Sequence, residues 1–213
     1  KNAQAYATLI EGIDKSLGDL MDHVQSKGLG ENTLILFVGD NGSDAPLGPV
    51  HGYSSSAPLR GKKGTYYEGG MRVPFIAAWA KPGKGNSFPV ARGALHNDQI
   101  GTVMDLYSTI LDAAGVKNPA DHVVDGVSLL KQLSGKANPE RPDHFMCHFP
   151  HSHRSSNFTA FRKGDWKLIY RYKGKTKYEL YDLGEDPFEK RNLAESEPKK
   201  LKEMTKAMIA RLE

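Results

Sequence analysis

Leu34-Ile35-Leu36-Phe37-Val38-Gly39-Asp40-Asn41-Gly42 decides how this chain is read. Five apolar residues follow one another without polar alternation and stop at a Gly-Asp-Asn-Gly step. A short all-apolar run of this kind reads as a strand buried on both faces, as in a parallel sheet. In open α/β sheets, ligands gather at the carboxyl ends of such strands, and Asp40 and Asn41 stand at that end. A carboxylate beside an amide carbonyl offers hard oxygen donors, the type Ca2+ and Mg2+ take. The competing reading makes Asn41-Gly42 a hairpin turn. A hairpin needs a matching strand directly after it, and the residues that follow, Ala45-Pro46-Leu47-Gly48-Pro49, make a poor one.

Beyond a long loop rich in Gly, Pro, Ser and Ala comes Leu59-Arg60-Gly61-Lys62-Lys63-Gly64-Thr65, then Glu68-Gly69-Gly70-Met71-Arg72-Val73-Pro74, then a second apolar run ending at Trp79. Through these motifs, the segment from Thr33 to Ile76 resembles the later half of the catalytic domain of the sulfatases, within the alkaline-phosphatase-like superfamily. The resemblance implies an α/β fold: part of a parallel-sheet sandwich, followed by a small antiparallel sheet with a helix. It implies that Asp40 and Asn41 bind a divalent metal, Ca2+ or else Mg2+, and that Lys63, just before Gly64-Thr65, contacts the sulfate group; Lys62 is its neighbour in the same turn. Hydrolysis of a sulfate ester builds negative charge on the sulfuryl and leaving-group oxygens. A fixed ammonium beside them stabilises that charge more in the transition state than in the ground state. Read alone, Lys62-Lys63 is equally a solvated basic pair in a turn.

The resemblance also says what the chain does not hold. In that family the nucleophile is a formylglycine made from the first residue of a Cys/Ser-x-Pro-x-Arg motif, and no such motif occurs here; Cys147-His148-Phe149-Pro150 does not match it. The resemblance places that nucleophile, and a further pair of metal-binding aspartates, in the first half of the domain. Asp40 and Asn41 alone supply few of the six to eight oxygens that Ca2+ takes. This polypeptide by itself is therefore expected to be inactive and to need the N-terminal half of its own catalytic domain. The expected partner is a sulfated small molecule or glycan, and the expected compartment is periplasmic or extracellular, or lysosomal in a eukaryote. Two other readings stay open: a phosphatase, phosphodiesterase or phosphonate hydrolase of the same superfamily, and a non-catalytic binding protein that keeps the fold.

Composition agrees with a soluble globular protein and excludes little else. The 213 residues are 38% hydrophobic and 25% charged, with a net charge of +4 and a sequence pI near 9.0, a mild attraction for anions. The basic residues form no nucleic-acid module, and no run is long and apolar enough to span a bilayer. The single cysteine, Cys147, excludes an intramolecular disulfide and reads as a packed thiol between apolar neighbours. With neither an initiating Met nor a signal segment, the first residue is not a natural start.

Taken in order, Asn2 to Lys27 carries Tyr6, Leu9, Ile10, Ile13, Leu17, Leu20, Met21 and Val24 at helical spacing. A second helix is predicted from about Asp98 to Ala114, ended by Gly115; Asp105 and Asp112 read as ordinary helix carboxylates. A composition shift at Ala137–Pro142 divides residues 1–140, the later half of the catalytic domain, from residues 141–213, a small α+β subdomain. Strands are predicted at His144–Phe149, Phe158–Arg162, Trp166–Tyr172 and Tyr178–Asp182, and a last helix at Pro198–Leu212. His51, in the long loop that joins Asp40-Asn41 to Lys63, reads as a solvated side chain or a substrate contact, and the resemblance offers His148 and His151 as further substrate contacts; with His153 those two could instead form a zinc cluster or a solvated one.

Overall fold

The computed structural model describes residues 2–44, 52–93, 99–152 and 157–212. They form two compact units, one of Lys1–Val38 and Phe75–Pro142, the other of Gly39–Pro74 and Asp143–Glu213. The segment Gly39–Pro74, which the sequence reading kept with the residues before 140, thus groups with those after 142.

In the first unit, α1 (Asn2–Ser26) is followed by β1 (Leu34–Val38), β2 (Phe75–Trp79), α3 (Asp105–Ala113) and the short α4 (Leu130–Leu133). β1 and β2 pair antiparallel, with Leu34 opposite Trp79 and Val38 opposite Phe75. The α/β class expected from sequence holds, but β1 is half-buried rather than enclosed, and its one strand partner among the described residues is antiparallel. A two-stranded ribbon offers each face little cover, so its apolar side chains stay partly wet. Asp105 corrects another expectation. It is no ordinary helix carboxylate: it is buried, pairs with the buried Arg141, and accepts from the backbone N–H groups of Thr102 (2.6 Å) and Val127 (2.9 Å). Arg141 also donates to the carbonyls of Ile100 and Val127, so both charges are satisfied where water is excluded.

The second unit is built on a four-stranded antiparallel sheet in the order β3 (His144–Phe149), β4 (Phe158–Lys163), β5 (Trp166–Arg171), β6 (Tyr178–Asp182). Glycines at positive φ, Gly164 (55°) and Gly174 (106°), turn the chain between β4 and β5 and between β5 and β6. Strand residues alternate between faces. Phe161, Leu168 and Leu180 meet Met204 and Met208 of α5 (Pro198–Leu212). Phe158, Ala160, Ile169 and Tyr181 meet Tyr66 from the Gly39–Pro74 segment. Both faces of this sheet are therefore covered, and Leu168, Ile169 and Leu180 are fully buried. Cys147 packs against the second of these clusters; burial pushes its thiol up, against the pull of Lys167, which agrees with a packed thiol rather than a reactive one.

Candidate functional site

The site residues expected from sequence lie on two turns that the backbone ties together. At one end, the Gly39 N–H donates to Pro74 O (3.0 Å) and closes the base of the segment. Asp40 is exposed just beyond it, and Asn41 is half-buried. The Asn41 amide nitrogen donates to Gly42 O (3.0 Å), so its carbonyl oxygen is the end available to a cation. On the second turn Lys63 is half-buried while Lys62 is exposed. The Lys63 backbone N–H donates to Ser43 O at 2.9 Å, which joins the lysine turn directly to the Asp40–Ser43 turn. Thr65 Oγ1 donates to Lys62 O (2.8 Å) and accepts from Lys62 N–H (3.1 Å), closing the lysine turn on itself.

Between the two turns runs α2 (Glu68–Met71), one turn of helix that sequence reading did not separate from its loop. Its contacts with the turns are main chain on main chain. The Gly42 N–H donates to Gly70 O (3.0 Å), and the Gly69 N–H to Arg60 O (2.7 Å). A Cβ on Gly42 would fall 1.8 Å from Gly69 O, and one on Gly70 would fall 2.4 Å from Thr65 O and 2.5 Å from Lys62 O. Glycine is required at both positions by close approach rather than by φ.

Two residues that the sequence reading did not single out hold α2 from the sheet side. Lys167 of β5 is buried, with Nζ 2.8 Å from Glu68 Oε1 and 2.8 Å from Glu189 Oε1. Glu189 Oε2 accepts from the Glu68 N–H at 2.7 Å. Glu189 is fully buried, and its Oε1, close enough to Lys167 for an ion pair, has no hydrogen-bond partner. Burial pushes the Glu189 carboxyl above its ordinary range; Lys167 opposes this without cancelling it. The sequence signal for Lys167 was a charge on the face of β5 that also carries Ile169. For Glu189 it was an acidic residue two positions after Asp186-Pro187. Neither is legible until the strand is known to be covered on both sides.

A neighbouring polar cluster lies in the same unit. Glu179 Oε2 accepts from the hydroxyls of Tyr67 (2.8 Å) and Tyr181 (2.6 Å), and Arg60 donates to Tyr181 Oη (2.9 Å) and stacks 3.8 Å over the Tyr67 ring. Burial first, and the Glu179 bond second, push both phenols well above their ordinary range, so they stay neutral donors. These residues line a cleft of about 340 Å³ together with Arg171 and Lys190, and none of Asp40, Asn41 and Lys63 lines it.

The remaining candidates have other partners. His148 is exposed on β3, with Nδ1 2.9 Å from Thr159 Oγ1 and 3.4 Å from Tyr172 Oη. His151 lies edge-on to Phe149. Neither makes a hydrogen bond or ring contact with Asp40, Asn41 or Lys63. His51 and His153 lie outside the described residues. Among the described residues no three His, Cys, Asp or Glu side chains gather to hold a metal ion. Asp40 and Asn41 therefore fit Ca2+ or Mg2+ in donor chemistry, as part of a coordination shell rather than the whole of one.

Two family models match the chain: "Sulfatase" over residues 1–116 and "N-sulphoglucosamine sulphohydrolase, C-terminal" over residues 62–213. The chain is similar to mouse (Mus musculus) N-acetylgalactosamine-6-sulfatase, 38% identical over 137 residues, covering 64% of this chain and 25% of that protein. It is similar to a sulfatase of Formosa agariphila, 31% identical over 211 residues, covering 91% of this chain and 36% of that one. Among solved structures it is similar to BT4656 in complex with its substrate D-glucosamine-2-N,6-O-disulfate, with a TM-score of 0.73 and 25% identity over 95% of this chain and 38% of that one. The chain thus spans between a quarter and two fifths of the length of these relatives.

Proposed function

This chain belongs to the sulfatase family, and on that premise we propose that it is the C-terminal portion of an enzyme that hydrolyses sulfate esters of a carbohydrate or aryl alcohol. The observation that carries the reading is the 2.9 Å bond from the Lys63 N–H to Ser43 O, by which two separate motifs form one backbone-linked site. A sulfated sugar is the favoured substrate class, supported by the glucosamine disulfate bound to the similar structure.

In this reading Asp40 and Asn41 hold one side of a divalent cation, Ca2+ or Mg2+, with further ligands from the rest of the catalytic domain. When bound, the ion neutralises and orients the sulfate oxygens. Lys63 sets its ammonium against the sulfuryl oxygens and stabilises the charge that grows on them during S–O cleavage. Its half-buried position, beside a turn closed by Thr65, limits the reorganisation needed as that charge appears. The formylglycine nucleophile belongs to the N-terminal part of the domain, so the 213-residue chain alone is inactive. Residues 1–140 form the later half of the catalytic domain and residues 141–213 the subdomain that follows it in sequence. His148 and His151 are secondary substrate contacts at the end of β3. No helix among the described residues is long and apolar enough to cross a membrane, and the compartment we propose is periplasmic, extracellular or lysosomal.

The test is sulfate release by the full-length protein from a panel of sulfated sugars and aryl sulfates, run beside Lys63→Ala and Asp40→Ala. Lys63→Ala is expected to lower kcat by about 100- to 1,000-fold, the usual effect of removing one preorganised charge stabiliser. Asp40→Ala is expected to remove activity and calcium retention together. Release of sulfate from no substrate, or an unaffected Lys63→Ala variant, overturns the reading.

A further inference from the structure

We propose that Glu189 and Lys167 are positioning residues for this site: through Glu68 they fix α2, and α2 in turn sets the spacing between the Asp40–Ser43 turn and the Lys63 turn. The inference rests on the reading of Lys63 and Asp40 given above.

β5 is paired on both edges, with β4 and β6, in a sheet covered on both faces, so Lys167 projects from a central, buried strand. Its ammonium is 2.8 Å from one oxygen of Glu68 and 2.8 Å from one of Glu189. Glu189 then takes the first N–H of α2, at Glu68, a group that a helix start leaves without an internal partner. No side chain caps this helix from Tyr67, so the Glu189 carboxylate does that work from across the fold. From α2 onward no flexible side chain intervenes. The Gly69 N–H donates to Arg60 O and Gly70 O takes the Gly42 N–H; a Cβ on Gly70 would strike carbonyls of the Lys63 turn, and a Cβ on Gly42 would strike the Gly69 carbonyl of α2. A shift of α2 is therefore passed to the Asp40 turn and the Lys63 turn with nothing to absorb it.

A second observation points the same way. Glu189 is held at φ +54° and is the one non-glycine residue at positive φ among those described. A bulky residue in that conformation persists where its surroundings over-determine it. Glycine would relieve the backbone but would remove the carboxylate that reaches Glu68. A buried ion triad is also poor at stabilising a fold compared with apolar packing of the same volume, which leaves fixed geometry as what these three side chains provide.

The experiment uses the full-length enzyme with two variants, Glu189→Ala and Glu189→Gly, beside Lys63→Ala. Both Glu189 variants remove the carboxylate; Glu189→Gly also releases the backbone, so it remains informative if Glu189→Ala does not fold. A site loosened by about 1 Å can lose on the order of 100-fold in rate, so kcat is expected to fall steeply in both, with KM changed far less, at temperatures where each remains folded. Amide exchange at Gly42, Lys63 and Gly69 is expected to quicken while β4–β6 keep their protection. A Glu189→Gly variant with the parent kcat overturns the positioning role, as does exchange that quickens evenly over the second unit. If Lys63→Ala itself is unaffected, it is the site assignment that fails, and the two failures are distinguishable.

Discussion

The two units of this chain treat their apolar residues in opposite ways. In the second, Leu168, Ile169 and Leu180 are sealed between α5 on one face and Tyr66 on the other. In the first, α1 has no buried residue, and Leu9, Ile10, Ile13 and Leu20 are each more than half exposed. What is buried there is largely polar: Asp105, Thr109, Gln132, Asn138 and Arg141. The helical period of α1 is as clear in the sequence as that of α5. The contrast teaches that an amphipathic period states which face must be covered and is silent about what covers it. Among the described residues, α5 packs its apolar face on a sheet and α1 buries none of its residues.

That contrast can be broken by experiment. The largest stability effect is expected from Lys167→Met, which leaves two carboxylates buried without their cation; breaking such a pair costs about 3–5 kcal/mol, measurable by urea unfolding of the 213-residue chain. Leu168→Ala follows at about 2–5 kcal/mol, as for a methylene-rich side chain removed from a sealed core. An effect under about 1 kcal/mol from either would mean that the second unit is no better closed than the first.

Glu189 sharpens the comparison through pH. Its folded carboxyl is raised above the ordinary value of 4.5, so only at pH between the ordinary and the raised value does the folded state hold a proton that the unfolded chain has released; above that range Glu189 is the carboxylate paired with Lys167. Its contribution to stability is full below the ordinary value and is lost as pH rises through the raised one. Stability of the second unit is expected to fall over that window, and Glu189→Gln to flatten the dependence; an unchanged profile in the variant would assign the proton elsewhere. The smallest effect is expected from Ile13→Ala on exposed α1, within about 0.5 kcal/mol in the 213-residue chain. A loss as large as that of Leu168→Ala would show that α1 is covered after all.

Much of the fold was legible because punctuation was sharp. β3 and β6 begin and end where the sequence placed them, bounded by Pro150 and by Gly174 and Gly184, and α5 opens at Pro198, a residue suited to a first helical turn. α3 begins at Asp105 rather than near Asp98, because the Asp105 carboxylate binds the Thr102 N–H and makes a turn where an apolar period had suggested helix. The proposed site is local in sequence: Asp40, Asn41 and Lys63 stand in motifs a few residues long. Lys167 and Glu189 were not, since their meaning depends on strands and turns about 100 residues downstream folding back against Glu68. No window of sequence contains such a contact. The antiparallel partner of β1 was hidden for the same reason: an all-apolar run fixes a strand and leaves its neighbour's direction open.

The close approach of Gly42 to α2 also limits what can vary in this chain. A distance set by two main chains cannot be tuned by exchanging one side chain for another. The interval between the Asp40–Ser43 turn and α2 is thus insulated from changes in the side chains around it.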